Sequence, residues 1–223
     1  MKKIIILILA VVMCVSITAC NTGNKKAFEV SKVAYDNIDI AYEIVEQIGS
    51  DIYDAWLLGI YDKEELIENG AEYLASELSL SEDEIRAGIG CTFAEAFGSS
   101  WVAMSEDSKQ EFADSADIFF EYFEDEMFTF CVLSVKNAYE INGKTEEAQI
   151  ALDAAKTNMK ELSDKYSDYE HYPNLKGYYT TTSSFFDFCQ NPTGSFEQVK
   201  DTINDYKNEA RDYISDLDYI FEE

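Results

Sequence analysis

The chain holds one histidine, His171, in the segment YSDYEHYPN beside Pro173. Any Ser-His-Asp or Cys-His relay would have to be built on that imidazole alone. A di-iron helical site needs two Glu-x-x-His motifs, and these are absent, as are glycine loops of the P-loop or dinucleotide type. Carboxylates are the catalytic resource left, with 44 Asp and Glu in the chain. Glu95 is the sharpest of them, because it is the single charge in AGIGCTFAEAFGSSWVAM, residues 87–104. Enclosed by Phe93, Phe97 and Trp101, it could act as a proton donor of the kind a glycosidase uses. A second carboxylate would then have to oppose it across a cleft, and Asp54 in IYDAWLLGIYD is the candidate. The line Gly88, Cys91, Glu95, Ser99 is small and partly polar, which fits instead a Glu95 that points to water or accepts hydrogen bonds from a neighbouring helix.

No window has the alternating oxygen ligands, central glycine and terminal Glu of an EF-hand loop, and EYFEDE at 121–126 spreads its acids around a helix. No metal or other cofactor is expected. Behind the leader, Cys91, Cys131 and Cys189 are an odd set with no CxxC, so they read as buried free thiols on helix faces, with one disulfide as the alternative. Tyr35, Tyr42, Gly49 and Trp56 recur every seven residues. The three aromatics are candidate binding residues in a groove; the simpler reading makes them the wider half of a core face.

The elements that must carry these residues follow from periodicity and caps. Ala34, Ile38, Ala41, Val45, Ile48, Ile52 and Ala55 alternate steps of four and three, predicting a long helix over 27–60. Asp62 with Glu65, and Ser81 with Glu84, have the spacing of reciprocal caps and predict the next two helix starts. Gly98 marks a break before Trp101. Phenylalanines at 112, 119, 123 and 130 predict one central helix over about 106–141, stopped by Asn142-Gly143. Apolar steps from Ala148 to Tyr166 give a fifth helix, and a loop follows around Pro173. Leu175 to Cys189 give a sixth, and Ser195 with Gln198 caps a last helix that runs through Ile220. Nothing alternates with period two, so the expected fold is all-α, an antiparallel helical bundle of six or seven helices with no sheet. The AYEI shared by positions 41 and 138 is too little for a repeat array.

The N-terminus supplies an address. Lys2 and Lys3 precede an apolar run, Ile4 to Val15, and then the small residues Thr18 and Ala19, the anatomy of a secretory signal. As a helix that run would span about 18 Å against ~30 Å of bilayer hydrocarbon, so it is expected to be cleaved, not to remain as a membrane span. Ile17-Thr18-Ala19-Cys20 resembles the lipobox of bacterial lipoproteins, a resemblance confined to the leader. It implies that Cys20 carries a thioether-linked diacylglycerol and becomes the mature N-terminus, two acyl chains being what stable anchoring requires. The alternative is an ordinary signal peptide with an incidental cysteine, giving a secreted protein.

The expected organisation is therefore a signal peptide over 1–19, a lipidated Cys20 with a tether to residue 26, and one acidic helical domain over 27–223. A formal charge of −27 disfavours nucleic acid and anionic lipid surfaces and favours cationic partners. The expected function is a non-enzymatic binding domain held by Cys20 on the extracytoplasmic face of a bacterial membrane, meeting an envelope protein or a small-molecule ligand. The alternative is an envelope hydrolase or carbohydrate-binding protein that uses Glu95 in an aromatic cleft.

Overall fold

The computed structural model describes residues 23–221, and the regular elements among them are all helical. The leader, Cys20 and Asn21 lie outside the described residues. Helix α1, Gly23–Tyr61, is the long helix that the stripe predicts, about 58 Å at ~1.5 Å per residue. It starts inside the segment read as a tether, so residues 23–26 are helical. Every residue of its four-and-three stripe from Ala34 to Ala55 is buried. Each isoleucine there contributes on the order of 1.5–3 kcal/mol by leaving water. That stripe makes α1 the hub against which the later helices α6, α7, α8 and α9 pack.

Helix α2, Lys63–Glu77, begins where the caps predict, but the side chain of Asp62 makes no capping hydrogen bond. Asp62 stands at φ −117°, ψ 36°, away from the extended geometry in which a capping carboxylate reaches the next turn's N–H groups. Inside α2, Asn69 leaves helical geometry, and the kink is tied to a neighbouring element. The Ala71 N–H donates to Asp117 Oδ1 at 2.9 Å, and the other oxygen of Asp117 accepts from Arg86 at 2.8 Å.

Helix α3, Glu82–Ala96, carries the predicted reciprocal cap between Ser81 and Glu84. It ends where Gly98 takes φ +76°, with the Gly98 N–H on Glu95 O and the Ser99 N–H on Ala94 O, both at 2.9 Å. That pair of bonds satisfies carbonyls the helix end would otherwise leave open, and it requires a residue at ease in the left-handed region. A single 3₁₀ turn, Trp101–Ala103, follows.

The segment 106–141 is not one helix. It forms α4, Glu106–Asp114, α5, Ala116–Tyr122, a 3₁₀ turn at Glu124–Glu126, and α6, Met127–Ile141. Ser115 interrupts by turning its hydroxyl back onto Glu111 O, a local bond that competes with the helical ladder. Glu121, Glu124, Asp125 and Glu126 would repel one another along a continuous helix, and Lys63 Nζ holds the turn by donating to Glu124 O at 2.8 Å. The breaks let rings converge that a straight helix would string out: Phe123 stacks on Phe130 at 4.4 Å, and Phe120 meets Phe130 edge-on at 5.4 Å.

Helix α7, Lys144–Lys165, follows the left-handed Gly143 directly. Helix α8, Tyr172–Gln190, starts three residues before the predicted Leu175, because Pro173 occupies the first helical turn, where its missing N–H costs nothing. Helix α9, Phe196–Phe221, has the expected Ser195 and Gln198 cap. The described residues thus hold nine α-helices where six or seven were expected, and the difference lies in 106–141.

Candidate functional site

The most distinctive surface is built on α6. Its sequence MFTFCVLSVKNAYEI turns Met127, Phe130, Cys131, Ser134, Val135 and Ala138 inward at steps of three and four. Phe128, Thr129 and Leu133 remain exposed as a ridge, with Lys136 half-buried a turn further on. A cleft opens on each side of this ridge. The first, of about 250 Å³, lies between α6 and α3: Thr92, Glu95 and Ala96 form one wall, and Phe123 and Glu126 close one end. The second, of about 300 Å³, lies between α6 and the Trp56 indole, bounded by the turn Gln190–Thr193. Thr129, Leu133 and Lys136 are common to both.

Close approach of α3 and α6 shapes the first cleft. A Cβ on Gly88 would collide with the Ser134 carbonyl oxygen, so glycine sets the separation of the two helices. The floor is polar and buried: Asn137 Nδ2 donates to Thr92 Oγ1 at 3.0 Å, and that hydroxyl donates to Gly88 O at 2.9 Å. Phe130 and Leu133 supply apolar surface. Glu95 and Glu126 stand exposed at the rim. Lys136 is the one cation lining the cleft, and its ammonium is held by Glu140 at 2.8 Å.

Glu95 is therefore not the enclosed acid that the run around it suggests. It sits in the last turn of α3, exposed, with Phe97 beyond it 66% exposed. Trp101 is buried in a separate small cluster with Cys91 and Ala94. The carboxylate lining the cleft with Glu95 is Glu126; Asp54 is half-buried on α1 and does not line it.

The heptad line on α1 is core. The Tyr35 hydroxyl donates to Asp218 and its ring stacks on Phe221 at 5.2 Å. Tyr42 lies 5.8 Å from Tyr178. Gly49 leaves room for Phe185, whose ring would stand 2.5 Å from an added Cβ. Tyr35 and Tyr42 thus face neighbouring helices. Trp56, stacked on Phe128 at 5.6 Å, lines the second cleft.

His171 precedes α8, its ring edge-on to Tyr169 at 5.3 Å. Cys91, Cys131 and Cys189 are unpaired and buried. Burial pushes the Cys131 thiol up to about 12; burial and then the Glu95 carboxylate push Cys91 up to about 12. Burial raises Cys189 as well. All three are held as thiols, the unreactive form. Among the described residues no three His, Cys, Asp or Glu side chains are grouped to hold a metal ion, and no helix is long and apolar enough to cross a membrane.

Sequence reasoning missed Asp51. This carboxylate is only 3% exposed on α1, accepting from the Tyr139 hydroxyl at 2.6 Å, the Ser79 N–H at 3.0 Å and the Ser79 hydroxyl at 3.3 Å. Burial raises its pKa, opposed by those hydrogen bonds and by the nearby Lys207. The signal was slight: Asp51 lies beside Ile52 of the core stripe, three residues after Ile48 and four before Ala55, on a line that helical spacing also turns inward. Asp39 repeats the arrangement on a smaller scale, accepting from the Tyr178 hydroxyl at 3.1 Å. These Tyr–Asp bonds join α1 to α6 and α8 as hydrogen-bonded contacts between helices.

No protein-family model, curated protein or solved structure matches this chain.

Proposed function

We propose that the chain is a bacterial extracytoplasmic lipoprotein whose acidic helical domain is a non-enzymatic binding module, its helices arranged as an antiparallel bundle around α1. Ile17-Thr18-Ala19-Cys20, closing an apolar leader that begins Met-Lys-Lys, is the observation that carries this reading. Two acyl chains on Cys20 hold the domain at the membrane, and α1, already helical at Gly23, keeps it close. The two clefts beside α6 support a role in association, since each combines an aromatic wall with a few polar groups. Tethering raises the local concentration at which such a surface meets an envelope partner.

Metabolic labelling with an alkyne fatty acid tests the anchor. The wild-type chain should take up label and sediment with membranes, and Cys20→Ala should do neither. Equal labelling of both chains would refute the assignment of Cys20.

The second reading, an envelope hydrolase or carbohydrate-binding protein, draws on the same cleft, where Glu95 and Glu126 stand near Phe123 and Phe130. The exposure of Glu95 weighs against it, because the apolar enclosure that would make this carboxylate a proton donor is missing. Glu95→Gln should leave the pH profile of any hydrolytic activity unchanged; a lost alkaline limb, the limb a proton donor sets, would restore the enzymatic reading.

A further inference from the structure

We infer, resting on the binding reading above, that the cleft between α3 and α6 is the docking site for a cationic peptide segment of a partner protein that carries a large apolar side chain. The cleft's size comes first. About 250 Å³ lies below the range usual for cofactor pockets and suits one large side chain inserted from outside. Its walls are what such an anchor needs: the Phe123 and Phe130 rings stacked at 4.4 Å, Leu133, and a buried Thr92 and Asn137 pair to receive a polar edge.

Charge then selects the partner. Glu95 and Glu126 are exposed at the rim, and neither is in an ion pair among the described residues. Glu124 and Asp125 extend the negative edge on the adjoining turn. The one lining cation, Lys136, is already neutralised by Glu140. Beside the cleft, Phe97 and Tyr122 are each 66% exposed, both against the Phe93 ring. That apolar lip would collect water-excluded contacts around a central anchor. In a chain of net charge −27, a cleft with apolar walls and an acidic rim outside any ion pair among the described residues repels anionic lipid and nucleic acid, and it draws in a segment bearing Lys or Arg.

The test is a fluorescence titration of the full acylated chain in phosphatidylcholine nanodiscs with three labelled twelve-residue peptides. One alternates Lys with Leu around a central Trp, the second replaces Lys by Glu, and the third replaces Leu and Trp by Ser. The first should bind and the other two should not. Glu95→Gln with Glu126→Gln, and separately Leu133→Ser, should each weaken the first peptide at least about fivefold. Glu209→Gln with Asp212→Asn, exposed acids on α9, should leave it unchanged; circular dichroism verifies that each variant is folded. Equal loss in the α9 variant, no loss in the cleft variants, or equal binding of the Lys and Glu peptides would overturn the inference. Repeating the titration on Cys20→Ala in detergent separates the two readings: retained binding keeps the cleft whatever the fate of the anchor.

Discussion

Asp51 shows how this chain stabilises buried negative charge when cations are scarce. Its carboxylate leaves water among α1, α6 and the α2–α3 connection, and the donors that meet it are a tyrosine, a serine and a backbone N–H. Tyr139→Phe deletes one donor from a buried acceptor, and we expect a loss of about 1–3 kcal/mol in urea unfolding. The pH dependence carries a definite sign. Because burial raises the folded-state pKa of Asp51 and of Asp39 above the unfolded value, the folded protein binds these protons more tightly than the unfolded chain does. Their contribution therefore improves as pH falls through the folded-state pKa and levels off below the unfolded value of about 4. Glu84 runs the other way: burial would raise it, but hydrogen bonds from Ser81 and Asn142 outweigh that and lower it, so its contribution is lost at low pH. Urea midpoints measured downward from pH 7 should rise at first, and Asp51→Asn should flatten the rise. A midpoint that falls steadily on acidification would contradict the assignment of Asp51 as a carboxylate whose pKa burial raises.

At the scale of elements, what the residues disclosed depended on whether the signal was local. Ser81 with Glu84 and Ser195 with Gln198 cap as their spacing predicts, because a cap involves only residues in one turn. Asp62 failed for the same reason inverted: its backbone angles, fixed by how α1 hands over to α2, deny the side chain its reach. Over 106–141 the period of the phenylalanines suggested a single rod. Ser115 and the acidic turn break it, and the rings meet by folding back on one another. The α3–α6 contact was not legible, because which helix Gly88 approaches, and that Ser134 meets it there, depends on tertiary packing. Gly88→Val forces a branched side chain against the Ser134 carbonyl and Ala138. We expect a cost of about 1–3 kcal/mol or more by calorimetry, together with altered access to the cleft beside Glu95.

For the molecule as a whole, a charge of −27 bears on stability and, in the function proposed, on the choice of partners. Self-repulsion of this size destabilises the compact state and is screened by salt, with a Debye length of about 10 Å at 0.1 M. The melting temperature should therefore rise between 10 mM and 300 mM sodium chloride, by several degrees on the order of 1 kcal/mol. A flat response would mean that the acids are compensated locally. The candidate site was only half legible: Glu95 and Trp56 line the clefts beside α6, whereas Tyr35 and Tyr42 pack against rings of α8 and α9, because a heptad of aromatics looks the same whether it faces a ligand or another helix. Glu126 and the ridge of α6 stayed hidden because they depend on the break at residues 124–126.

The proposed location and the proposed presentation of the α6 clefts both depend on the N-terminus. Intact mass spectrometry of the chain purified from its own membranes addresses that dependence most directly. The mature chain should start at Cys20, lack residues 1–19 and carry the added mass of a diacylglyceryl group. An exported chain that retains its leader, or one that begins with an unmodified Cys20, would contradict it.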